Sequence, residues 1–169
     1  DKFINNVVKL YTYLKNFNAL TITSNTFDSY EFMEKAGLYL QDCNAYHVEN
    51  NKFYDWTIGL IVNNSGTNAN EIYRNSFFNN YFSLDAYYTN ANQNGSTGLF
   101  IHCNKFNNSK FNFGANIYVA KGKIKKEQGY FNSDQPENSI SAANLFSKTM
   151  LSEDKAFKAS SSPLSYIYY

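Results

Sequence analysis

A single six-residue pattern, Ile/Val-x-x-Asn-x-Phe, recurs four times along this chain and restricts its folding more than any other feature. It stands as Ile22-x-x-Asn25-x-Phe27, Val48-x-x-Asn51-x-Phe53, Ile72-x-x-Asn75-x-Phe77 and Ile101-x-x-Asn104-x-Phe106. The offsets of 26, 24 and 29 residues between copies belong to solenoids, in which each repeat buries its apolar face only against its neighbours. Interleaved with it is a second mark: Gly37-Leu38-Tyr39-Leu40, Gly59-Leu60-Ile61-Val62, Ser83-Leu84-Asp85-Ala86 and Asn116-Ile117-Tyr118-Val119. In both marks apolar residues alternate with polar or mixed ones, the period-two signature of half-buried strands. A leucine-rich repeat would require Leu-x-x-Leu-x-Leu and a following helical segment, and the chain has neither. The expected fold is therefore all-β: a right-handed parallel β-helix, or solenoid, with an irregular C-terminal tail. Residues 1–19 are expected to form a partial N-terminal coil or cap, 20–120 the β-helix repeats and 121–169 a C-terminal cap or tail.

If coils stack at the usual strand spacing of about 4.8 Å, equivalent side chains lie over one another. Ile22, Val48, Ile72 and Ile101 then form one inward ladder, and Phe27, Phe53, Phe77 and Phe106 a second. Asn25, Asn51, Asn75 and Asn104 fall at the turn between strands, where stacked amides can pass hydrogen bonds from coil to coil. Asparagine makes up about one residue in seven, well above ordinary usage, and favours both turns and such ladders.

The formal net charge of +1 gives no overall field, so neither nucleic acid nor an anionic membrane is an expected partner. No run of about eighteen apolar residues exists, so no span across a bilayer is encoded. Cys43 and Cys103 lie far apart and lack metal-ligand spacing. Buried free thiols are the expectation, and a disulfide between them stays open until their geometry is known. No Asp-Gly calcium loop or Gly-rich phosphate cradle appears, so neither a metal nor a cofactor is expected. The start at Asp1, without initiator Met or signal peptide, reads as a fragment or a processed product. Lys121, Lys123, Lys125 and Lys126 read as a solvated basic face. The stretch from Ser139 to Tyr169, with Pro163 near its end and Tyr166, Tyr168 and Tyr169 as apolar cover, reads as the tail.

The Asn-x-Phe and Gly-Leu-x-Leu/Val marks, from about Leu20 to Val119, resemble the parallel β-helix repeats of pectin-lyase-like and many large secreted proteins. The later segments Ile124-Lys125-Lys126-Glu127-Gln128-Gly129 and Ala143-Asn144-Leu145-Phe146-Ser147 resemble the closing segment of proteins exported by type IX secretion. These resemblances imply three strand faces per coil and a secreted or cell-surface location. They imply no particular activity, because the same fold serves lyases, hydrolases, tailspikes and adhesins.

Aligning the repeats places Thr21, His47, Glu71 and Phe100 in one outward column and Thr23, Glu49, Tyr73 and His102 in the next. His47, Glu49 and Glu71, with Arg74 nearby, are the candidate acid and base groups of a carbohydrate-active enzyme, a lyase or a glycoside hydrolase. Solvated polar residues on a strand face are the plainer reading. The other mark gives the columns Tyr39, Ile61, Asp85, Tyr118 and Gln41, Asn63, Tyr87, Ala120. A lyase of this fold would be expected to show an Asp cluster and a basic proton acceptor, often arginine. Arg74 is the lone arginine and neither column holds an Asp cluster. Trp56, Tyr81, Tyr87 and Tyr88 are candidate sugar-stacking residues near the coil surface, and the turn-rich loop from Thr89 to Gly98 is a further binding candidate. The expected role is a non-catalytic structural or adhesive module of a larger secreted or surface protein, with glycans or other surface proteins as partners. The rivals are a carbohydrate-active enzyme or a piece of one, and cargo bound to secretion machinery.

Overall fold

The computed structural model describes residues 1–29, 36–107, 115–130, 140–146, 157–160 and 167–168. The described residues form strands, turns and bends without a helix. The first coil comprises β1 (Lys2–Ile4), β2 (Val7–Val8) and β3 (Thr12–Lys15); the second β4 (Thr21–Thr23), β5 (Thr26–Asp28) and β6 (Ala36–Gln41). The third holds β7 (His47–Glu49), β8 (Lys52–Tyr54) and β9 (Ile58–Asn63); the fourth β10 (Asn70–Tyr73), β11 (Ser76–Phe78) and β12 (Phe82–Thr89). The fifth holds β13 (Leu99–His102), β14 (Lys105–Asn107) and β15 (Ala115–Lys123). Strands β16 (Glu127–Tyr130), β17 (Ile140–Ser141), β18 (Leu145–Phe146), β19 (Phe157–Ser160) and β20 (Ile167–Tyr168) follow. The first strands of the coils pair in the order β1-β4-β7-β10-β13, the second as β2-β5-β8-β11-β14-β18 and the third as β3-β6-β9-β12-β15-β19. Every pairing in these three sheets is parallel, so the chain is a parallel β-solenoid with three faces.

The register follows the sequence marks residue for residue. Ile22 pairs with Val48, Val48 with Ile72 and Ile72 with Ile101, and all four side chains are fully buried. On the second sheet Phe27, Phe53, Phe77 and Phe106 stack with centroids 4.8, 4.8 and 5.1 Å apart and rings within 9° of parallel. Strand spacing imposes this separation, so tilted rings slide into offset stacking, the arrangement that the aromatic quadrupole favours.

Between first and second sheets the coil bends at one residue in the left-handed region: Ser24, Asn50, Arg74 and Cys103 have φ between 53° and 58°. The next residue is the ladder asparagine. Asn25 N–H donates to Asn51 Oδ1 at 2.9 Å, Asn51 N–H to Asn75 Oδ1 at 3.0 Å and Asn75 N–H to Asn104 Oδ1 at 2.9 Å. Each Nδ2 donates to the same neighbouring oxygen, to the carbonyl two residues before it and to a carbonyl one coil away, as Asn75 does to Tyr73 and Val48. A buried amide is thereby satisfied on both ends, as burial of a polar group demands.

The ladder runs one step further at each end than the four marks. Asn6 N–H donates to Asn25 Oδ1 at 2.9 Å, and Asn104 N–H donates to Asn144 Oδ1 at 2.9 Å. Phe146 stacks on Phe106 at 5.2 Å, and Phe3 on Phe27 at 6.3 Å. Beyond Val119, β15 continues to Lys123, and β18 and β19 extend the second and third sheets. Pro163, Tyr166 and Tyr169 of the expected tail lie outside the described residues.

Both cysteines are free; Cys43 is fully buried and Cys103 half-buried at its bend. Burial pushes the Cys43 thiol above its ordinary pKa, and its Sγ donates to the carbonyls of Leu14 and Gln41.

Candidate functional site

The third sheet has the longest strands and the most aromatic outer face. Its inward residues, Leu38, Leu40, Leu60, Val62, Leu84, Ile117 and Val119, are fully buried, so alternation turns Tyr39, Ile61, Asp85 and Tyr118 outward. They lie in one column, as Tyr39 pairs with Ile61, Ile61 with Asp85 and Asp85 with Tyr118. Tyr13 extends it, with its ring edge-on to Tyr39 at 5.2 Å. Gln41, Asn63 and Tyr87 run alongside. The Tyr13 hydroxyl donates to Gln41 Oε1 at 2.6 Å, and Asn63 Nδ2 donates to the Tyr39 hydroxyl at 2.6 Å. The Tyr118 ring stacks on Phe82 at 5.4 Å. The result is a stripe along the axis in which half-exposed rings alternate with amides held by those rings' own hydroxyls.

Asp85 departs from the plain outward position that alternation assigns. It is 1% exposed, and burial raises its carboxyl pKa to about 7, offset in part by a hydrogen bond from Tyr87. Its Oδ1 has no hydrogen-bond partner. The Tyr87 hydroxyl is pushed up to about 12 by burial first and by the neighbouring Asp85 carboxylate second.

Of the four expected stacking residues, Tyr87 and Tyr88 belong to this face, their rings 6.3 Å apart. Tyr88 is 51% exposed and occupies the left-handed region at φ 56°. Tyr81 lies just before β12, half-buried and edge-on to Phe82 at 4.8 Å. Trp56, expected near the surface, is instead completely buried in the core. Asp55 immediately before it has φ 59°, which interrupts strand alternation and turns the indole inward. Gly37 makes room for it, because a Cβ there would sit 2.9 Å from the indole nitrogen.

The outer face of the first sheet holds the expected acid and base candidates. His47 and His102 bind separate oxygens of Glu71, Nδ1 to Oε2 at 2.8 Å and Nε2 to Oε1 at 2.5 Å. A carboxylate only accepts, so each imidazole donates. Burial raises the Glu71 pKa, but the hydrogen bonds from His102 and His47 outweigh it and hold the carboxyl below its ordinary value. His102 lies between the rings of Tyr73 at 4.5 Å and Phe100 at 4.2 Å, while Arg74 covers Tyr73 and Lys125 covers Phe100, each at 4.5 Å. Glu49 pairs in register with Tyr73, and its carboxylate accepts from Asn50 at 3.4 Å. Glu71 is thus committed to two imidazoles. The columns alone placed these residues side by side but could not show that His102 reaches diagonally to Glu71.

The loop from Thr89 to Gly98 closes on itself through the Ala91–Gly98 bridge and a 2.8 Å bond from Asn92 Nδ2 to Ser96 Oγ. With Lys125, Lys126 and Glu127 it borders an open polar hollow of about 270 Å³. Among the described residues no group of three His, Cys, Asp or Glu is placed to hold a metal ion, and no helix is long and apolar enough to cross a membrane.

No protein-family model, curated protein or solved structure matches the chain.

Proposed function

We propose that this chain is a non-catalytic module of a larger secreted or surface protein, a rigid solenoid presenting a carbohydrate-binding face. The observation that carries the reading is the tyrosine and amide stripe on the third sheet. Sugar rings offer apolar CH faces that stack on aromatic rings, and hydroxyls that pair with amides. Tyr13, Tyr39, Tyr87, Tyr88 and Tyr118 supply the first chemistry, Gln41 and Asn63 the second. Backbone pairing on both sides of the central strands preorganises the platform, so binding orders few groups. The secreted location and the link to type IX export rest on the resemblance of the repeats and of Ile124 to Gly129, and a sorting domain in the intact coding sequence would test them.

The direct test is titration against a panel of neutral and charged polysaccharides, with reducing-end release measured in parallel. Binding without turnover is expected, with Tyr39→Ala weakening it about tenfold, in keeping with roughly 1.4 kcal/mol for one stacking platform. Absence of any binding, or retention of full affinity in Tyr39→Ala, would overturn the reading.

The hydrogen-bonded trio His47, Glu71 and His102 supports the rival enzymatic reading, since a carboxylate that orients an imidazole is a recurring general-base device. That reading requires turnover that disappears in both Glu71→Gln and His47→Gln, and Glu49→Gln tests the remaining carboxylate.

A further inference from the structure

Asp85 is an outward residue of a solenoid face and is nevertheless 1% exposed, with Oδ1 unpartnered. Among the described residues no lysine, arginine or histidine pairs with it. A carboxylate withdrawn from water is costly unless a cation or a full set of donors meets it. Tyr87 supplies one hydrogen bond. The remaining demand is met by a proton or by a positive charge beyond those of the described residues.

The surroundings select the kind of charge. Tyr118 stands opposite Asp85 in the next coil, Tyr87 lies two residues along the same strand, and Tyr39 is close enough to act electrostatically on the Tyr87 hydroxyl. Ring faces attract organic cations, which shed water readily. Calcium and magnesium take about six or more oxygen ligands, and among the described residues no group of three His, Cys, Asp or Glu is placed to hold a metal ion.

We propose that Asp85, flanked by Tyr87 on its own strand and Tyr118 in the next coil, binds the ammonium group of an unacetylated amino sugar. The proposal rests on the carbohydrate-binding reading of this face and names the glycan class it takes. The half-exposed Tyr87 side chain is the lid. Its hydroxyl gives up the bond to Asp85 as the incoming N–H⁺ group replaces it, and rotamer changes of this size are common on binding. Because the carboxyl must be ionised to receive the cation, a proton leaves Asp85 when the ligand enters below neutrality.

The test is calorimetric titration of the full chain with glucosamine oligomers, their N-acetylated counterparts, n-butylammonium alone and a lysine peptide. Glucosamine oligomers are expected to bind at least tenfold more tightly than the acetylated ones. The heat near pH 6 should vary with the ionisation enthalpy of the buffer, which reports proton release. Asp85→Asn, a neutral isostere, should abolish the preference and the proton release while leaving binding of the acetylated oligomer unchanged. Equal affinity for both oligomers, or a preference that survives Asp85→Asn, overturns the ammonium site and leaves the carbohydrate face standing. If neither oligomer binds but n-butylammonium does so through Asp85, the carbohydrate face falls and the ammonium site stands. Equal binding of the lysine peptide overturns the amino-sugar assignment.

Discussion

At the bend between the first two sheets, Asn75 accepts the Asn51 N–H at 3.0 Å and donates to Val48, Tyr73 and Asn104. Asn75→Ala leaves buried donors and acceptors without partners on two coils, so a loss of about 3 kcal/mol or more is expected in denaturant unfolding. The residue before each ladder asparagine is constrained through its left-handed backbone instead. Cys103 holds φ 55° there, a region costing a non-Gly residue about 1 kcal/mol or more. Asparagine tolerates that region, so Cys103→Asn is expected to raise the unfolding midpoint. Asp85 sets a pH dependence of definite sign. Its folded pKa of about 7 lies above the ordinary 3.8; the penalty of ionising it is absent below about pH 4, grows between 4 and 7, and is full above 7. Stability therefore falls as pH rises through that window, by an amount on the order of 4 kcal/mol. Urea unfolding of Asp85→Asn should show no such decline, and a wild-type profile flat from pH 4 to 7.5 would refute the assignment. Glu71 acts in the other direction and in a lower window: its depressed pKa contributes stability above its ordinary value, and that contribution is lost as pH falls through the folded one.

Across two consecutive strands and the bend between them, six residues from Ile/Val to Phe carry the register, which is why columns drawn from the repeat marks agree with the observed pairings. Loop length does not disturb them, because each coil is aligned anew at its own asparagine. Two kinds of residue were not legible. The outer coils hide their identity because Phe3 and Val8 replace the usual Ile and Phe around Asn6, and Ser141 precedes Asn144 by three where a branched apolar residue is the rule. Trp56 and Asp85 escaped for reasons of direction and crowding: a left-handed residue reverses the first, and large neighbours bury the second. Trp56→Ala should accordingly act on the fold, lowering stability by about 3–5 kcal/mol in thermal unfolding. Glycine at position 59 is equally tied to packing, since a Cβ would lie 2.8 Å from the Ser83 carbonyl oxygen and 3.0 Å from the Phe77 ring. Gly59→Ala forces one of these apart and is expected to cost about 1–3 kcal/mol.

For the molecule as a whole, stability in such a stack approximates a sum over coils and their interfaces. Excising residues 48–71 joins His47 to Ile72 at an equivalent point of the register and brings Phe27 over Phe77. The shortened chain should keep its β-rich circular dichroism and unfold at a lower midpoint, and a loss of ordered structure would show that the third coil is indispensable. The coils differ in length at the links between sheets, among them the link from the third sheet back to the first, where residues 42–46, 64–69 and 90–98 bridge the gap. Each link starts from a left-handed residue at or next to the strand end, Asp42, Asn64 or Tyr88, and rejoins a coil already locked by its asparagine. Foreign peptides could therefore be spliced into this one edge at its exposed positions, such as between Thr67 and Asn68 or between Gln93 and Asn94, at a vertical spacing fixed by the backbone.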